Sequence, residues 1–283
     1  MRGTQQTDRV LAIGFVLGGL GAILLPASLG RLDLTILTLY ISLPLIGSTV
    51  LYSTPLRRTT ELLTVDTDGF RTPVGIFLLL QGASLFLLGY TAVRPFAYYL
   101  IVALLATVIF VQIVASERTA GRSLVILGEI SVLLLNLVWG VTFKYHFYIG
   151  RTDTIPHAWY VDRILATNAV TDALGVYQAH PLWNILAAVE IGVFGVPIQP
   201  RYVLFFTSGL AYVFAVVGIY AIARRVLDSE RIALCAALLT ATYPFVLDYA
   251  RYAVPRSIAS VFLVLLLLAV LGRGYRNFAL LAL

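Results

Sequence analysis

The stretch PLWNILAAVEIGVFGVP, residues 181–197, decides the fold, because its path determines on which side of a membrane every later segment lies. It has 15 residues between its two flanking prolines, and two of them, Asn184 and Glu190, are polar. As a helix it would be about 22 Å long, whereas the hydrocarbon core of a bilayer is about 30 Å thick. We therefore expect a re-entrant or interfacial helix that stays on one side of the membrane.

The composition of the whole chain is typical of a polytopic membrane protein. Hydrophobic residues make up 60% and charged residues 12% of the 283 residues, with a mean hydropathy of +0.91. Apolar runs of span length recur along the chain, and the first lacks a clean A-x-A site, so we predict a retained span rather than a signal peptide. The prediction is an all-α transmembrane helix bundle of about eight spans, plus an incomplete one in RNFALLAL at residues 276–283. The predicted spans are 10–26, 34–52, 73–92, 96–115, 123–143, 202–222, 232–247 and 258–272.

The basic residues predict the orientation, since short cytoplasmic loops are enriched in Lys and Arg. With the N-terminus in the cytoplasm, seven arginines of the first half are cytoplasmic, and only Arg31 and Arg94 lie outside. In the second half, five arginines are cytoplasmic and three lie outside if residues 181–197 do not cross, and the numbers are reversed if they do. The chain is thus predicted to be a multi-pass protein of the cell membrane. Its net charge of +6 is spread over short loops and suits lipid headgroups better than nucleic acid.

This topology leaves one long external loop, residues 144–200, among short ones. Loops of such length between packed spans are usually functional. Within it, TDTIPHAWYVDRILATN is predicted to be a short amphipathic helix on the bilayer surface, with Pro156 in its first turn. The loop contains all three histidines and four acids of the chain, namely His146, His157, His180, Asp153, Asp162, Asp172 and Glu190.

Asp153 is the first carboxylate after the fifth span. A carboxylate near the interface can act as a general base or a metal ligand in a reaction between a lipid-borne substrate and a soluble acceptor. The alternative is a loop acid that pairs with Arg151 or caps the following helix. His157 is four residues further on and would share a face with Asp153 on a continuous helix, as a metal ligand or as an orienting or substrate-contacting group.

A second polar cluster, YPFVLDYARYAVPRS, covers residues 243–257 and is predicted to lie outside, between two spans. Arginine binds phosphate through a planar fork, so Arg251 and Arg256 together suit a lipid phosphate or pyrophosphate. The alternative is an interface anchor, because Tyr and Arg are common at membrane boundaries. That alternative is weaker for Asp248, since an acid at a span's end usually faces protein or water.

Polar residues also occur inside the predicted spans. Glu129 and Asn136 are seven residues apart on one face of the fifth span, and Gln112 lies in the fourth. Structural hydrogen bonds to other helices are the expected role. An intramembrane Glu is also compatible with a proton relay, which leaves a transporter as an alternative.

The order of the motifs resembles the GT-C superfamily of polytopic glycosyltransferases, most closely the protein mannosyltransferase and aminoarabinose transferase type. The resemblance covers roughly residues 123–272 and begins at FYIGRTDTIPHAW. His180, Pro181 and Leu182 resemble an HPPL motif with one proline absent, and Arg201 matches an Arg that begins the next span. The sequence ARRVL at residues 223–227 resembles the cytoplasmic end of that span.

The resemblance implies an enzyme that takes a sugar from a polyprenyl or dolichyl phosphate carrier and transfers it outside the membrane to a protein, lipid or glycan. It implies that Asp153 is the catalytic base or a metal-site residue and that Asp248 is the acid of the second loop. Mg²⁺ or Mn²⁺, held by Asp153 and Asp248, is the candidate cofactor. The expected substrate-binding residues are His157, His180, Asp248, Arg251 and Arg256.

The resemblance also divides the chain into an accessory region of four N-terminal transmembrane helices, residues 1–122, and a partial GT-C-like module, residues 123–283. The leading functional hypothesis is a membrane glycosyltransferase, or a truncated fragment of one. The alternatives are a non-catalytic membrane subunit derived from the same fold, because spans expected after residue 272 are absent, and a transporter.

Overall fold

The computed structural model describes residues 2–30, 35, 38, 42, 46, 67–91, 93–115, 119–140, 154–195 and 198–271. Every element bounded within these ranges is a helix, so the all-α prediction is confirmed for them. A short 3₁₀ helix covers Asp172–Ala179. The α-helices are α1 Arg2–Ser28, α2 Thr67–Tyr90, α3 Phe96–Ala115, α4 Ala120–Trp139, α5 Thr154–Thr167, α6 Leu182–Phe194, α7 Pro200–Leu227, α8 Glu230–Thr242, α9 Pro244–Tyr252 and α10 Pro255–Val270.

The chain divides into two compact units, Met1–Phe70 with Ala115–Glu117, and Arg71–Val114 with Arg118–Leu283. In the first unit, α1 packs closely at Gly19, where an added Cβ would lie 2.8 Å from Cγ1 of Ile46 and 3.6 Å from Cβ of Ser42. The second unit contains α4 to α10 and nearly all of α2 and α3. All the candidate site residues that the structure describes belong to this second unit.

Four of the described helices are long and apolar enough to cross a membrane: Phe70–Tyr90 within α2, then α3, α4 and α7. They overlap the predicted spans 73–92, 96–115, 123–143 and 202–222. A fifth span is counted if α8 and α9 together form one broken span. The apolar part of α1, Val16–Ser28, is shorter, as are α6 and α10. The predicted span 34–52 falls mostly outside the described residues.

The predicted span 232–247 is not one straight helix. α8 ends at Thr242, Tyr243 is extended (φ −70°, ψ 124°), and α9 departs at an angle of 57°. Pro244 explains the break, because a proline disfavours the helical conformation of the residue before it and cannot donate a backbone hydrogen bond. A second break follows at Ala253, whose φ of 52° is in the left-handed region, and Pro255 then begins α10.

Side-chain contacts show which helix ends meet in the second unit. Arg251, at the end of α9, donates from Nη2 to the carbonyl oxygen of Leu137 in the last turn of α4 (2.6 Å). Far along α7, Arg225 donates to the carbonyl oxygen of Leu268 near the end of α10 (3.1 Å). We call the end that contains Leu137 and Arg251 the upper end, and the end that contains Arg225 and Leu268 the lower end.

The predicted amphipathic helix is present as α5. Its buried residues, Thr154, His157, Val161 and Ile164, follow the three- and four-residue spacing of one helical face. Pro156 lies in the first turn, as predicted, where its missing N–H costs no hydrogen bond. The helix ends after Thr167, and Asn168 follows with a left-handed φ of 51°.

Helix α6 corresponds to the stretch that decides the topology. Its 13 residues make it about 20 Å long. Trp183 in its first turn lies against Ala253, and Glu190 near its other end accepts a hydrogen bond from Oγ1 of Thr207 (2.5 Å). Thr207 lies in the first third of α7, so both halves of α6 contact residues at the upper end.

Buried polar side chains join the helices α2, α3 and α4. The Nδ2 group of Asn136 donates to Oε1 of Gln81 (3.0 Å) and to Oγ of Ser84 (2.7 Å), while its Oδ1 accepts from the hydroxyl of Tyr98 (3.3 Å). A second interhelical hydrogen bond joins α3 to α4: Nε2 of Gln112 on α3 donates to Oε2 of Glu129 on α4 (2.7 Å). Glu129 and Asn136 thus turn toward neighbouring helices and form the interhelical hydrogen bonds expected of them.

Substitution of Gly209 on α7 tests the packing of α7 against α4. An added Cβ would lie 2.9 Å from Cε2 of Trp139, which is too close for carbon atoms. Gly209→Ala should therefore lower the free energy of unfolding by roughly 1–3 kcal/mol. Gly128→Ala on α4 is the matched control, because nothing lies within 4 Å of its added Cβ. Thermal unfolding of the purified protein in detergent measures both, and equal midpoints would contradict this packing.

Candidate functional site

At the last turn of α9, the helices of the predicted external loop, α5 and α6, meet α7 and α9. We call α5 and α6 the loop helices. Because α9 ends at Tyr252, its final backbone carbonyls have no partner within the helix. Three side chains from three other helices supply the missing donors. Oγ of Ser208 on α7 bonds to the carbonyl of Ala250 (2.8 Å), Oγ1 of Thr154 on α5 to that of Tyr252 (2.9 Å), and Nε1 of Trp183 on α6 to that of Ala253 (3.0 Å).

An apolar core lies beneath these hydrogen bonds. Buried side chains of α5, the 3₁₀ helix, α6, α7 and α10 pack together with Ala253, which lies between α9 and α10. The hydrogen bonds to the end of α9 therefore form in a place that excludes water, where an unpaired carbonyl would be costly. The core residues are Val161, Ile164, Leu174, Trp183, Ala187, Ala188, Val203, Leu204, Ala253 and Ile258.

His157 is buried within this arrangement, with 1% of its surface exposed. Its Nδ1 lies 3.1 Å from Oδ1 of Asn184, and its ring packs edge-on against Tyr177 and Tyr160. Since an amide oxygen can only accept, this orientation assigns the proton to Nδ1 and makes Nε2 the basic nitrogen. Nδ2 of Asn184 is buried and has no hydrogen-bond partner among the described residues.

Two arginines converge on the end of α4. Nη2 of Arg251 lies 2.6 Å from the carbonyl oxygen of Leu137, and Nη2 of Arg94 lies 3.4 Å from the same oxygen. Leu137 is in the last turn of its helix, where carbonyls have no partner further along the helix and the helix dipole is negative. The guanidinium of Arg94 also lies over the ring of Tyr98, 5.2 Å from the ring centroid.

Arg256 is placed differently from Arg251. Its guanidinium lies over the rings of Tyr249 and Tyr252, 5.8 Å and 5.7 Å from their centroids, and the residue is exposed. On α9, Tyr249 also stacks on Phe245, which in turn stacks on Tyr243 directly before the helix. This combination of exposed aromatic rings and arginine is typical of a membrane boundary.

The remaining predicted site residues are Asp248, His180 and Asp153. Asp248 is half-buried on α9, one helical turn before Arg251. His180 is exposed at the end of the 3₁₀ helix, and its backbone N–H donates to the carbonyl of Tyr177 (3.0 Å). Asp153 lies outside the described residues, immediately before the first residue of α5.

The predicted metal ligands are Asp153 and Asp248. Within the described ranges, no three or more His, Cys, Asp and Glu side chains come close enough together to hold a metal ion. Asp248 is the only one of the two that these ranges include. The pair of metal ligands therefore stays a prediction.

Several residues of this region were not predicted as site residues. Thr154, Trp183 and Ser208 were not singled out, because a hydrogen bond to a distant carbonyl leaves no pattern in the sequence. Asn184 was noted only as a polar interruption, and Arg94 only as a charge outside. A buried Asn in an apolar run was the available signal, since such a group usually has a partner.

Comparison with protein-family models, curated proteins and solved structures gave no match. The long apolar helices and the hydrophobic composition are those of a membrane protein. The second unit has the helices of a multi-pass membrane protein, with shorter helices packed against one end.

A double-mutant cycle tests the contact between His157 and Asn184. Asn184→Leu keeps a similar volume but leaves the buried Nδ1–H of His157 without its acceptor, so stability should fall by about 1–3 kcal/mol. With His157→Phe, the two changes should show a coupling of about 0.5–3 kcal/mol in thermal unfolding. Trp159→Phe, an exposed change on α5, is the control partner and should be additive with Asn184→Leu. Equal coupling in both cycles would contradict the contact.

Proposed function

We propose that the protein is a membrane glycosyltransferase of the GT-C type. Its donor would be a sugar linked to polyprenyl or dolichyl phosphate, and its acceptor a protein, lipid or glycan on the outer face of the cell membrane. The observation that carries the proposal is the hydrogen bond from Thr154 to the carbonyl of Tyr252 (2.9 Å). It ties the chain directly after Asp153 to the residue directly after Arg251, although the two positions are 98 residues apart.

The chemistry requires a base and a group that holds the leaving phosphate. In the proposed reaction, the Asp153 carboxylate accepts the proton of an acceptor hydroxyl while the hydroxyl oxygen forms a bond to the anomeric carbon. The bond between that carbon and the phosphate oxygen breaks, and the electron pair leaves with the lipid phosphate. Arg251, with its planar fork of donors, stabilises the charge on the departing phosphate.

The other predicted residues have supporting roles in this proposal. His157 is buried and bonded to Asn184, so it orients the start of the loop rather than exchanging a proton with substrate. His180 is exposed and is available for contact with the sugar or acceptor. Asp248 and Arg256 flank Arg251 along the chain and complete the proposed donor site.

The proposed topology places the upper end outside. With the N-terminus in the cytoplasm, the five predicted spans before residue 144 bring residues 144–200 to the outer face, with α5 and α6 as interfacial helices. The exposed side of α6 supports this, since Leu182, Leu186, Val189 and Val193 form an apolar stripe suited to the outer surface of a bilayer.

The substitution Asp153→Asn tests the catalytic role. It retains the shape of the side chain but removes the charge, so transfer from a polyprenyl-phosphate sugar should fall by about 10²- to 10⁴-fold. Asp162→Asn is the matched control, because Asp162 is an exposed acid on the neighbouring helix α5. Label transfer by the full-length protein in proteoliposomes, supplied with a panel of labelled polyprenyl-phosphate sugars, is the measurement. Full activity of Asp153→Asn together with loss in Asp162→Asn or Asp172→Asn would assign the base to another carboxylate.

Glu129→Gln separates this proposal from a transporter. The amide can still accept from Gln112, so an enzyme should tolerate the change, whereas a proton-coupled transporter should not. If Glu129→Gln abolishes proton-coupled transport in proteoliposomes while Asp153→Asn has no effect, the result would favour a transporter over a glycosyltransferase.

A further inference from the structure

Glu129 and Gln112 form one hydrogen bond with each other, but each has an oxygen without a partner. Nε2 of Gln112 on α3 donates to Oε2 of Glu129 on α4 (2.7 Å). Oε1 of Gln112 and Oε1 of Glu129 are both buried, and neither has a hydrogen-bond partner among the described residues. An amide oxygen and a carboxylate oxygen can only accept, so neither of them can satisfy the other unless a proton is added.

The surroundings of the pair make a negative charge costly. Only 1% of the surface of Gln112 and 6% of that of Glu129 is exposed. Glu129 lies near the middle of α4, which is long and apolar enough to cross a membrane. Its carboxyl group has a single neutral amide donor and forms no ion pair with any described residue. A carboxyl group in such a place usually takes up a proton instead of remaining charged.

The charges of the neighbouring helices lie away from Glu129. α3 has no charged residue, and α2, α7 and α8, which also contact α4, are charged only near their ends. These residues are Asp68 and Arg71 on α2, Arg201, Arg224 and Arg225 on α7, and Glu230 and Arg231 on α8.

The other charges are at the two ends of α4. Asp248 and Arg251 are on α9, at the upper end, and Arg122 is two helical turns before Glu129 on α4. Tyr212 on α7 and Cys235 on α8 lie further along their helices and are uncharged at neutral pH. Burial and the hydrogen bond from Gln112 are the two influences on the Glu129 carboxyl group, and no described charge acts on it.

We infer that Glu129 and Gln112 form a proton-binding site between α3 and α4 that is occupied at neutral pH. With the proton on Glu129, one carboxyl oxygen donates it to Oε1 of Gln112, while the other accepts from Nε2 of Gln112. The terminal torsions of both side chains are soft, so rotation of either group allows this cyclic arrangement. One proton then satisfies both unpaired oxygens and removes the buried charge.

A metal ion fits the site less well than a proton does. Mg²⁺ and Ca²⁺ take about six or more oxygen ligands, whereas the pair offers two unpaired oxygens. A proton requires only one donor and one acceptor, and the pair supplies both. The site is also independent of the proposed sugar transfer, which depends on Asp153 and Arg251.

Infrared spectroscopy of the full chain at neutral pH tests the site, because a protonated carboxyl group has a carbonyl stretch that a carboxylate lacks. Maltoside micelles are suitable, since this detergent has no carbonyl group. Glu129→Gln should abolish the band, because the amide has the shape of the protonated acid but not its carbonyl stretch. Glu230→Gln is the matched control and should leave the band unchanged, since Glu230 pairs with Arg224 (2.8 Å) and is ionised.

Gln112→Leu gives a second readout in which the carboxyl group is retained. It should move the band to higher frequency, because the acid carbonyl loses the hydrogen bond from Nε2. A spectrum without an acid band at neutral pH, or a band that neither Glu129→Gln nor Gln112→Leu changes, would overturn the inference. Loss of the band on addition of sodium at constant pH would also overturn it and assign the site to a metal ion.

Neither spectrum requires sugar transfer, so the proton site and the glycosyltransferase proposal can fail separately. An acid band that depends on Glu129, in a protein that transfers no sugar, would support the site and contradict the proposed function. Transfer that depends on Asp153, in a protein without the band, would support the proposed function and contradict the site.

Discussion

The end of α9 is the constraint on which the rest of the upper end depends. Pro255 stops the chain from continuing as one helix, and Ala253 adopts a left-handed conformation, so the carbonyls of the last turn lose their helical partners. In a buried, apolar place an unpaired carbonyl costs about 1–3 kcal/mol. Donors from α5, α6 and α7 therefore have to come to this point, and they fix the three helices relative to one another.

This constraint connects parts of the chain that are far apart in sequence. Thr154 and Tyr252 are separated by 98 residues, and Leu137 and Arg251 by 114, yet the two contacts involve adjacent residues at the end of α9. The loop helices α5 and α6 are held by the hydrogen bonds of Thr154 and Trp183 to the end of α9 and by the apolar core around Val161 and Ala187. A surface built in this way can position charged groups near a membrane boundary without placing them in hydrocarbon.

Much of the helix content followed from the sequence, because apolar runs and a regular spacing of buried residues depend only on local order. The spans of α3 and α4 and the amphipathic helix α5 were predicted in this way, and Pro156 marked the first turn of α5 correctly. The bend after Thr242 was missed although Pro244 was visible, since the apolar run continues through it. Contacts such as that of Ser208 with Ala250 could not be predicted, because they depend on which way each helix is rotated. The role of Asp153 stays a prediction, because no described contact involves it.

The central claim is that α6 stays at the upper end, so that the loop helices pack on one side of the membrane and α7 starts from that side. Its most direct test is cysteine labelling with an impermeant maleimide in intact cells, after replacement of the only cysteine, Cys235, by alanine. Val176 is 82% exposed in the loop and the side chain of Asp228 is 96% exposed at the turn between α7 and α8, so a cysteine at either position can react. The account predicts that Val176→Cys is labelled from outside and that Asp228→Cys is labelled only after permeabilisation. Strong labelling of Asp228→Cys in intact cells would contradict it, because residues 181–197 would then cross the membrane.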